Sequence, residues 1–534
     1  MDASERTECL EGTRAETIQF ITDWATGPVG SYNVLWLHAL AGAGKSTLAT
    51  TMANHFRRMR RLGAFLFFDR AVAERNDPTT VIRTLAYQVG SFHPVAGKAI
   101  SDAILESPSI CSSPLPAQFQ QLLVDPLSSK AVIEAKLQIV LVLDNLDECG
   151  NAERRAKLLE ILTKQSVKLP STIRILITSR LEVDISRAIR SQSHIHIYEI
   201  DITSKVNGDD ISSYLRHRME LIRTKNMHLS LPNDWPGNDS IHKLIARASG
   251  LFVWASTAME FIDGGYDPRG RLDIILRGEA VSGAQSALDS LYMKALESLS
   301  PSGIWDDRDF VTDFTAIIGL VLVARRPLST TAIDILLCLP SGRPCMHLVS
   351  HLGCVLQQPI VRVLHPSFAD FLSDQSRCRR DDWIFHPSVH NRHLAKRCLD
   401  HLTEVLRENM CNLKLAEAIT DETLPDDISY ACDFWIDHIC TIEGDIEPIL
   451  ECLRAFAFGH ILHWFEAMSI LRRSRDTVRK LEGLLHWMSV SRLIMYFHSV
   501  PALKEACGRI IVPTRTVSPN SSVKHVTLLG FSPL

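Results

Sequence analysis

The sequence has few of the features that are typical of disulfide-linked, zinc-ribbon, membrane-spanning or secreted proteins. Its 13 cysteines include no CxxC pair and are odd in number, so neither a disulfide framework nor a zinc ribbon is indicated. We therefore expect reduced thiols and a cytoplasmic location. The longest apolar run, residues 314–324, is too short for a membrane-spanning helix, which needs about 20 residues, so we expect a buried core helix and no membrane span. The first residues, MDASERTECLEGTR, contain no apolar run, and we expect no secretory signal.

An excess of one charge is also missing. Lysine and arginine number 57 against 61 aspartate and glutamate residues, a formal net charge of −4 that gives no electrostatic reason to expect nucleic-acid binding. Hydrophobic residues make up 46% and charged residues 22%, which is ordinary for a globular protein. We find no internal repeat. At roughly 150 residues per domain, the 534-residue chain should form three or four domains.

Short apolar runs alternate with amphipathic stretches up to about residue 200, which predicts a parallel sheet covered by helices on both faces. The predicted strands are 34–40, 64–69, 138–144, 173–179 and 195–200, and the predicted helices include 14–24 and 47–59. Four prolines within 107–126 predict a loop inserted in this layer. Beyond residue 201 we predict helices at 204–227 and 241–261, a small helical domain with a β-hairpin wing within 305–375, and further helix from 386 to about 500.

The strongest chemical signal is the glycine-rich segment 39–47, ALAGAGKST, which follows an apolar strand and opens an amphipathic helix. Glycines let backbone N–H groups close around a phosphate, and a helix N-terminus adds partial positive charge. Lys45 would reach the β- and γ-phosphates of a nucleotide, and Ser46 would place its hydroxyl on Mg²⁺. The predicted nucleotide-binding residues of this phosphate loop are Ala41, Gly42, Ala43, Gly44, Lys45, Ser46 and Thr47. Ala39 replaces the first glycine of the strict pattern, at a position that starts the loop without lining the phosphate.

An acidic strand accompanies the phosphate loop. The apolar run 139–143 ends at Asp144, and ligands of open parallel sheets bind at the carboxyl ends of strands. We predict that Asp144 holds Mg²⁺, directly or through water, and that Glu148 or Asp147 orients the attacking water. Taken alone, the pattern would also fit a buried strand followed by a solvated acidic turn.

A third apolar strand, 173–177, ends in Thr178, Ser179 and Arg180. An arginine at the carboxyl end of a strand beside the acidic strand can contact a γ-phosphate. A surface arginine in a polar turn is the alternative interpretation.

Together these elements resemble the NACHT domain of the STAND class of signalling P-loop ATPases, above all the fungal incompatibility-type proteins with a nephrocystin-3-like N-terminal NTPase module. The likeness extends over roughly residues 9–490. Its further motifs are CLEGTR at 9–14, LDNLDEC at 143–149, ILITSR at 175–180, ASGLFVWAS at 248–256, LHPSFADFLSD at 364–374, RHLAKRCLDHL at 392–402, YACDFWIDHI at 430–439 and HILHWFEAMSILRR at 460–473.

The resemblance implies an α/β P-loop NTPase with a five-stranded parallel sheet of ASCE/STAND type, followed by a helical domain, a winged helix and a second helical region. The implied divisions are a lead-in helix at 1–30, a NACHT domain at 31–200, a helical domain at 201–300, a winged helix at 301–380, a helical domain at 381–507 and a tail at 508–534. Relatives usually carry a C-terminal WD-repeat array. The final residues, HVTLLGFSPL, resemble only the first strand of such a repeat, so we expect a switch module without that array.

The family likeness also implies a mechanism. ATP or ADP and Mg²⁺ would be the cofactors, with Lys45 and Ser46 on phosphate and metal, Asp144 on metal and Arg180 on the γ-phosphate. His365 matches the family histidine that contacts the β-phosphate of ADP and latches the closed state, although a histidine before proline can equally be structural. An ADP-bound monomer would convert to an ATP-bound homo-oligomer that signals to an effector protein, with slow hydrolysis, if any, as the reset.

Three other interpretations carry less support. A constitutive AAA+-type remodeller would need a trans-acting arginine finger and a pore loop, which we do not find. DNA binding by the winged helix is disfavoured because 305–375 is not notably basic. A zinc site at His386, His390 and His393 lacks a second cluster of ligands at suitable spacing, and these residues better fit one face of a helix.

Overall fold

The computed structural model describes residues 6–27, 32–264, 266–277, 283–299, 304–378, 380–409, 424–443 and 446–490. By its internal contacts the chain divides into two units, residues 1–390 and residues 391–534. The predicted tail at 508–534 lies outside the described residues. The predicted domain boundaries stay predictions.

The five apolar runs predicted as strands form one parallel sheet. The strands are β1 (Val34–His38), β2 (Leu62–Phe67), β3 (Ile139–Asp144), β4 (Ile173–Ser179) and β5 (Ile195–Glu199). Their order is β2-β3-β4-β1-β5, and every neighbouring pair is parallel. The acidic strand β3 is therefore separated from β1 by β4, whose carboxyl end carries Thr178. This confirms the predicted five-stranded parallel sheet.

Side chains of β1 to β4 are buried on both faces of the sheet, which explains why these strands read as nearly continuous apolar runs, whereas the edge strand β5 is partly exposed. In β1, Val34 and Trp36 pack into the hydrophobic cluster on one face. Leu35 and Leu37 pack into the cluster on the other. This alternation follows from the two-residue period of a strand.

Helices connect the strands and cover both faces of the sheet. They are α1 (Ala15–Thr26), α2 (Lys45–Arg58), α3 (Val81–Phe92), α4 (Pro94–Glu106), α5 (Leu115–Phe119), α6 (Asp125–Leu127), α7 (Lys130–Glu134), α8 (Ala152–Glu160) and α9 (Val183–Arg190). The loop predicted at 107–126 is wrong, because short helical segments fill most of it. Pro108, Pro114 and Pro116 stand at the starts of two of these segments, where proline lacks only a hydrogen bond that the helix could not make, whereas Pro126 follows the π-helical turn Gln120–Val124.

Further α-helices follow the sheet in the described part of the chain. They are α10 (Lys205–Lys225), α11 (Asn238–Ala248), α12 (Phe252–Asp263), α13 (Pro268–Leu276) and α14 (Ala284–Glu297). The single helix predicted over 241–261 is wrong, since Ser249 and Gly250 both have positive φ and separate α11 from α12. This break turns the start of α12 toward the phosphate loop, whose Gly42 accepts a hydrogen bond from Val253 N.

The rest of the first unit combines helices with a small sheet. Its elements are α15 (Arg308–Val323), β6 (Leu328–Ser329), α16 (Thr330–Leu337), α17 (Cys345–His351), β7 (Leu356–Gln357), β8 (Ile360–Val363) and α18 (Pro366–Ser373). Strand β8 pairs antiparallel with both β6 and β7. The apolar run at 314–324 lies almost wholly in α15, where Phe314, Ile317 and Leu320 are buried. The winged-helix interpretation stays a prediction.

The described residues from 387 onward are mainly helical. Their helices are α19 (Pro387–Val405), α20 (Asp426–Ile439), α21 (Glu447–Gly459), α22 (Ile461–Ile470) and α23 (Ser474–Val490). The buried rings of Trp435 and Trp464 meet edge to face at 5.5 Å, and Trp464 Nε1 donates to the carbonyl of Cys432 at 2.9 Å. In the described parts of the chain, no helix is long and apolar enough to cross a membrane. The same residues contain no group of three or more His, Cys, Asp or Glu side chains suited to a metal ion.

Candidate nucleotide-binding site

The phosphate loop connects β1 to α2 as the sequence predicts. Gly42 and Gly44 adopt φ values of 80° and 89°, a left-handed conformation that costs glycine little. Gly44 is the residue before the first turn of α2 and has no side chain that could cap the helix. The N–H groups of the first turn of α2 therefore meet no capping side chain from Gly44, and a helix N-terminus of this kind suits an anion. Ala41 and Ala43 lie in the loop, and Ser46 and Thr47 lie in the first turn of α2.

Two segments from outside the sheet hold this loop in place. Arg14, just before α1, donates from Nη2 to the carbonyl of Ala43 at 2.8 Å and stacks its guanidinium over the Phe252 ring at 4.9 Å. Val253, at the start of α12, donates its backbone N–H to the carbonyl of Gly42 at 3.0 Å. Residues of the motifs at 9–14 and 248–256 thus contact each other and the phosphate loop.

Lys45 is almost fully buried, with 6% of its surface exposed. Its Nζ donates to the carbonyls of Ala39 and Leu40, each at 3.0 Å. Burial lowers the pKa of Lys45 to about 8, because the charged ammonium is less well solvated there than in water. The side chain therefore lies folded over the loop, with its ammonium group against the backbone carbonyls at the start of the loop.

Ser46 reaches the end of the acidic strand. Its Oγ donates to Asn145 Oδ1 at 2.9 Å, and Asn145 N donates to Thr178 Oγ1 at 3.0 Å. Asn145 adopts φ of 60°, a conformation that asparagine tolerates better than most residues. Asn145 is not among the predicted site residues, and its contacts with Ser46 and Thr178 join the end of β3 to the phosphate loop.

Asp144 is fully buried at the end of β3, and both of its carboxylate oxygens are engaged. Thr178 Oγ1 donates to Oδ1 at 2.6 Å, and Arg6 Nη1 lies 2.9 Å from Oδ2. Arg6 also stacks its guanidinium over the Phe67 ring at 4.2 Å. The sequence does not predict this contact with Arg6. Asp144 Oδ2 can bind a metal ion only if Arg6 moves away from this oxygen or contacts it at the same time as the metal.

The donor set nevertheless fits the predicted cofactors. Ser46, Asn145 and Asp144 bring hydroxyl, amide and carboxylate oxygens together, the ligands that Mg²⁺ prefers. The ammonium of Lys45 and the N-terminus of α2 supply the positive charge that phosphates require. These residues would hold a nucleotide and its metal ion.

The two predicted catalytic carboxylates occupy different environments. Glu148 is 8% exposed, and burial raises its pKa to about 7. Asp147 instead accepts a hydrogen bond from Arg180 N at 3.0 Å and lies 3.3 Å from Arg180 Nε. A carboxyl group with a pKa near neutrality can accept a proton, so Glu148 suits the predicted role of general base better than Asp147, whose carboxylate contacts Arg180.

Arg180 lies between two carboxylates at the carboxyl end of β4. Besides Asp147, it contacts Asp370 of α18 through Nη1 at 2.9 Å. Asp370 also binds Arg70, whose Nη1 lies 3.1 Å from the other carboxylate oxygen. Neither Arg70 nor Asp370 was predicted as a site residue. Asp370 belongs to the motif at 364–374, which is the signal that could have found it.

His365 stands immediately before α18 and caps its N-terminus. Its Nδ1 accepts from Ser367 N at 3.2 Å, which leaves Nε2 as the ring's donor in the neutral imidazole. Burial, together with the charges of Arg180 and Lys45, lowers the pKa of His365 to about 3. His365 is therefore neutral near pH 7, and it caps the helix whose Asp370 contacts Arg180.

The raised pKa of Glu148 predicts a pH-dependent stability effect. Between its ordinary pKa of 4.5 and about 7, the folded protein binds more protons at this site than the unfolded chain, so stability falls as pH rises. Glu148→Gln removes the buried charge and keeps an acceptor for Arg70 N. We expect it to stabilise the unliganded protein by roughly 2–3 kcal/mol at about pH 8, with little effect at about pH 4.5.

Urea unfolding at both pH values measures this effect. Glu106→Gln, at an exposed glutamate that ends α4, is the matched control and should change stability little at either pH. Equal stabilisation by Glu148→Gln at both pH values would contradict the assignment.

Comparison with known proteins supports the same interpretation of this region. Residues 16–180 match the family described as the N-terminal part of nephrocystin 3. The matched segment contains β1 to β4, the phosphate loop and the acidic end of β3. The layer has the P-loop NTPase fold. Its sequence match supports a NACHT/STAND-like NTPase module in this part of the chain. No curated protein matches the chain.

Solved structures resemble the chain more distantly. A STAND protein with a tetratricopeptide-repeat sensor from Pyrococcus horikoshii is 13% identical, with a TM-score of 0.44 over 94% of this chain and 59% of that protein. Cdc6p from Pyrobaculum aerophilum is 13% identical, with a TM-score of 0.32 over 74% of this chain and 98% of that one. Drosophila ORC bound to DNA and Cdc6 is 12% identical, with a TM-score of 0.26 over 93% of this chain and 69% of that one. The chain spans 59% of the length of the STAND protein, and at these values the likenesses carry no argument about activity or partners.

Proposed function

We propose that the chain is a nucleotide-dependent switch of the NACHT/STAND type that binds ADP or ATP with Mg²⁺. The observation that carries the proposal is the 2.9 Å ion pair between Arg180, which follows β4, and Asp370 of α18, the helix that His365 caps. Arg180 comes from the central sheet, whereas His365 precedes a helix some 180 residues later in the chain. A site built from both segments can make the arrangement of the later helix depend on the bound phosphates.

Each residue has a role in this proposal. Lys45 and the N-terminus of α2 bind the β-phosphate, and His365 donates from Nε2 to the same group when ADP is bound. Arg180 contacts a γ-phosphate, and Ser46 and Asp144 hold the metal ion. The bound Mg²⁺ would neutralise phosphate charge. Because ADP and ATP make different contacts, exchange shifts the population between two arrangements.

Hydrolysis would reset the switch. Glu148, with its pKa near neutrality, is placed to orient and deprotonate a water molecule at the end of β3. The proposed cycle takes an ADP-bound monomer to an ATP-bound homo-oligomer that engages an effector protein. Intracellular non-self recognition or programmed-cell-death signalling in a fungus is the biological setting suggested by the family resemblance.

The test identifies the bound nucleotide and measures assembly. The purified full chain is denatured, and the released nucleotide is identified by ion-exchange chromatography. Size-exclusion chromatography with light scattering then gives the mass in ADP and in a non-hydrolysable ATP analogue. We expect co-purified ADP, a monomer in ADP and a larger species in the analogue. An identical mass in both nucleotides would contradict the switch, and rapid turnover without assembly would favour a constitutive ATPase.

A further inference from the structure

Helix α18 presents an anion to the two arginines at the edge of the proposed site. The carboxylate of Asp370 lies between them, with Oδ2 at 2.9 Å from Arg180 Nη1 and Oδ1 at 3.1 Å from Arg70 Nη1. The side chains of Asp370 and Arg180 are 25% and 22% exposed, so water screens this contact less than it would a surface pair. Asp370 thus bridges two cations that come from separate turns of the NTPase layer.

The bridging carboxylate is ionised at neutral pH. Burial acts to raise the pKa of Asp370, but Arg70 and Arg180 outweigh it and hold the pKa below its usual value. A carboxylate and a phosphate compete for the same donors of a guanidinium, because both accept its forked N–H groups. The N–H group of Arg180 Nη1 that is bonded to Asp370 is therefore not available to a γ-phosphate until Asp370 releases it.

We propose that Asp370 determines nucleotide specificity at this site by occupying Arg180 and Arg70 in place of a γ-phosphate, so that the protein binds a nucleoside diphosphate in preference to a triphosphate. The inference rests on the proposed function and adds the residue that separates the two ligands. A triphosphate must displace Asp370 from Arg180, and it also brings a like charge close to the displaced carboxylate.

The same helix carries the second nucleotide-dependent contact. His365 caps α18 five residues before Asp370, and its Nε2 is free of the bonds that Ser367 makes to Nδ1. In the diphosphate state, both His365 and Asp370 hold α18 against the site. In the triphosphate state, the loss of the Asp370 contact removes one of these two attachments. The preference for ADP and the position of α18 are therefore linked.

Asp370→Asn tests the proposal, because asparagine keeps the shape and one acceptor but removes the charge. Titration calorimetry with ADP and with ATPγS, at one fixed Mg²⁺ concentration, gives the ratio of the two Kd values. We expect the wild type to favour ADP and Asp370→Asn to shift the ratio toward ATPγS by about tenfold or more. The affinity for ADP itself should change little.

Asp289→Asn is the matched control. Asp289 forms a similarly buried pair with Arg377, which approaches to 2.6 Å, and it is not among the residues placed at the nucleotide site. It should leave the ratio of the two Kd values unchanged. Asp370→Glu keeps the charge and should keep the preference for ADP. If thermal unfolding shows that Asp370→Asn does not fold, Asp370→Ala provides the same measurement.

The outcomes separate this inference from the proposed function. A wild-type protein that binds neither nucleotide overturns both. A wild-type protein that binds nucleotide while folded Asp370→Asn or Asp370→Ala keeps the wild-type ratio overturns only the role of Asp370. The same shift in Asp289→Asn would also overturn it, because the effect would then reflect general loosening of ion pairs.

Discussion

Lys45→Ala is expected to weaken ADP binding by at least about 30-fold, since truncating a buried hydrogen-bonded charge costs roughly 2–5 kcal/mol and each 1.4 kcal/mol is about tenfold in Kd. In the unliganded protein Nζ is held by the carbonyls of Ala39 and Leu40. A phosphate offers the same ammonium a negative charge, and its bonds are stronger than those to neutral carbonyls. Titration calorimetry measures the change.

Lys98→Ala is the control for this prediction, because Lys98 is 78% exposed and pairs only with Asp102 one turn later in α4 among the contacts described for it. It should bind ADP as the wild type does. Thermal unfolding without nucleotide checks that Lys45→Ala is folded. A Kd within about threefold of the wild type would mean that the loop does not hold phosphate through Lys45.

The burial of Lys45 also predicts that ADP binding depends on pH. Its pKa near 8 means that the unliganded protein loses this charge as pH rises through about 8, whereas bound phosphate requires the charged form. ADP affinity of the wild type should therefore fall as pH rises above about 8, by at most about tenfold per pH unit. Lys45→Ala should not show this dependence, which separates the titration of Lys45 from general alkaline destabilisation.

The sheet and the phosphate loop could be predicted because their signals are local. A strand buried on both faces is a continuous apolar run, and the glycines, Lys45 and Ser46 stand together in one short segment. The acidic strand could be assigned to the same site as the phosphate loop because the carboxyl ends of parallel strands share one edge of the sheet. Each inference needed only neighbouring residues and one rule about how such strands assemble.

The contacts that surround the site could not be predicted in the same way. Arg180 and Asp370 are 190 residues apart in sequence, and Arg6 and Asp144 are 138 apart. A polar segment of sequence does not indicate which residue its arginine or aspartate contacts, since many such side chains are solvated. Asn145 and Ser249 adopt positive φ, and nothing in the periodicity of their segments indicates this.

Gly42→Ala is expected to destabilise the unliganded protein by about 2–4 kcal/mol. An alanine at φ of 80° costs about 1 kcal/mol through its left-handed conformation alone. Its Cβ would also lie 2.1 Å from Val253 Cγ1 and 2.9 Å from Val253 Cβ, much closer than atoms can pack, and overpacking adds about 1–3 kcal/mol. Val253 cannot simply move away, because its N–H is bonded to the carbonyl of Gly42.

Gly44→Ala supplies the matched comparison within the same loop. Gly44 has φ of 89°, but its nearest neighbour would be Phe252 at 3.9 Å, so only the conformational cost of about 1 kcal/mol applies. Urea unfolding of both variants, with Val253→Ala and the double variant Gly42→Ala/Val253→Ala, gives a thermodynamic cycle. Removing both Cγ atoms should recover part of the lost stability in the double variant.

Equal destabilisation by Gly42→Ala and Gly44→Ala would mean that α12 does not press on the loop. A larger loss of stability at Gly42 would show that the glycine is needed for the close approach of α12.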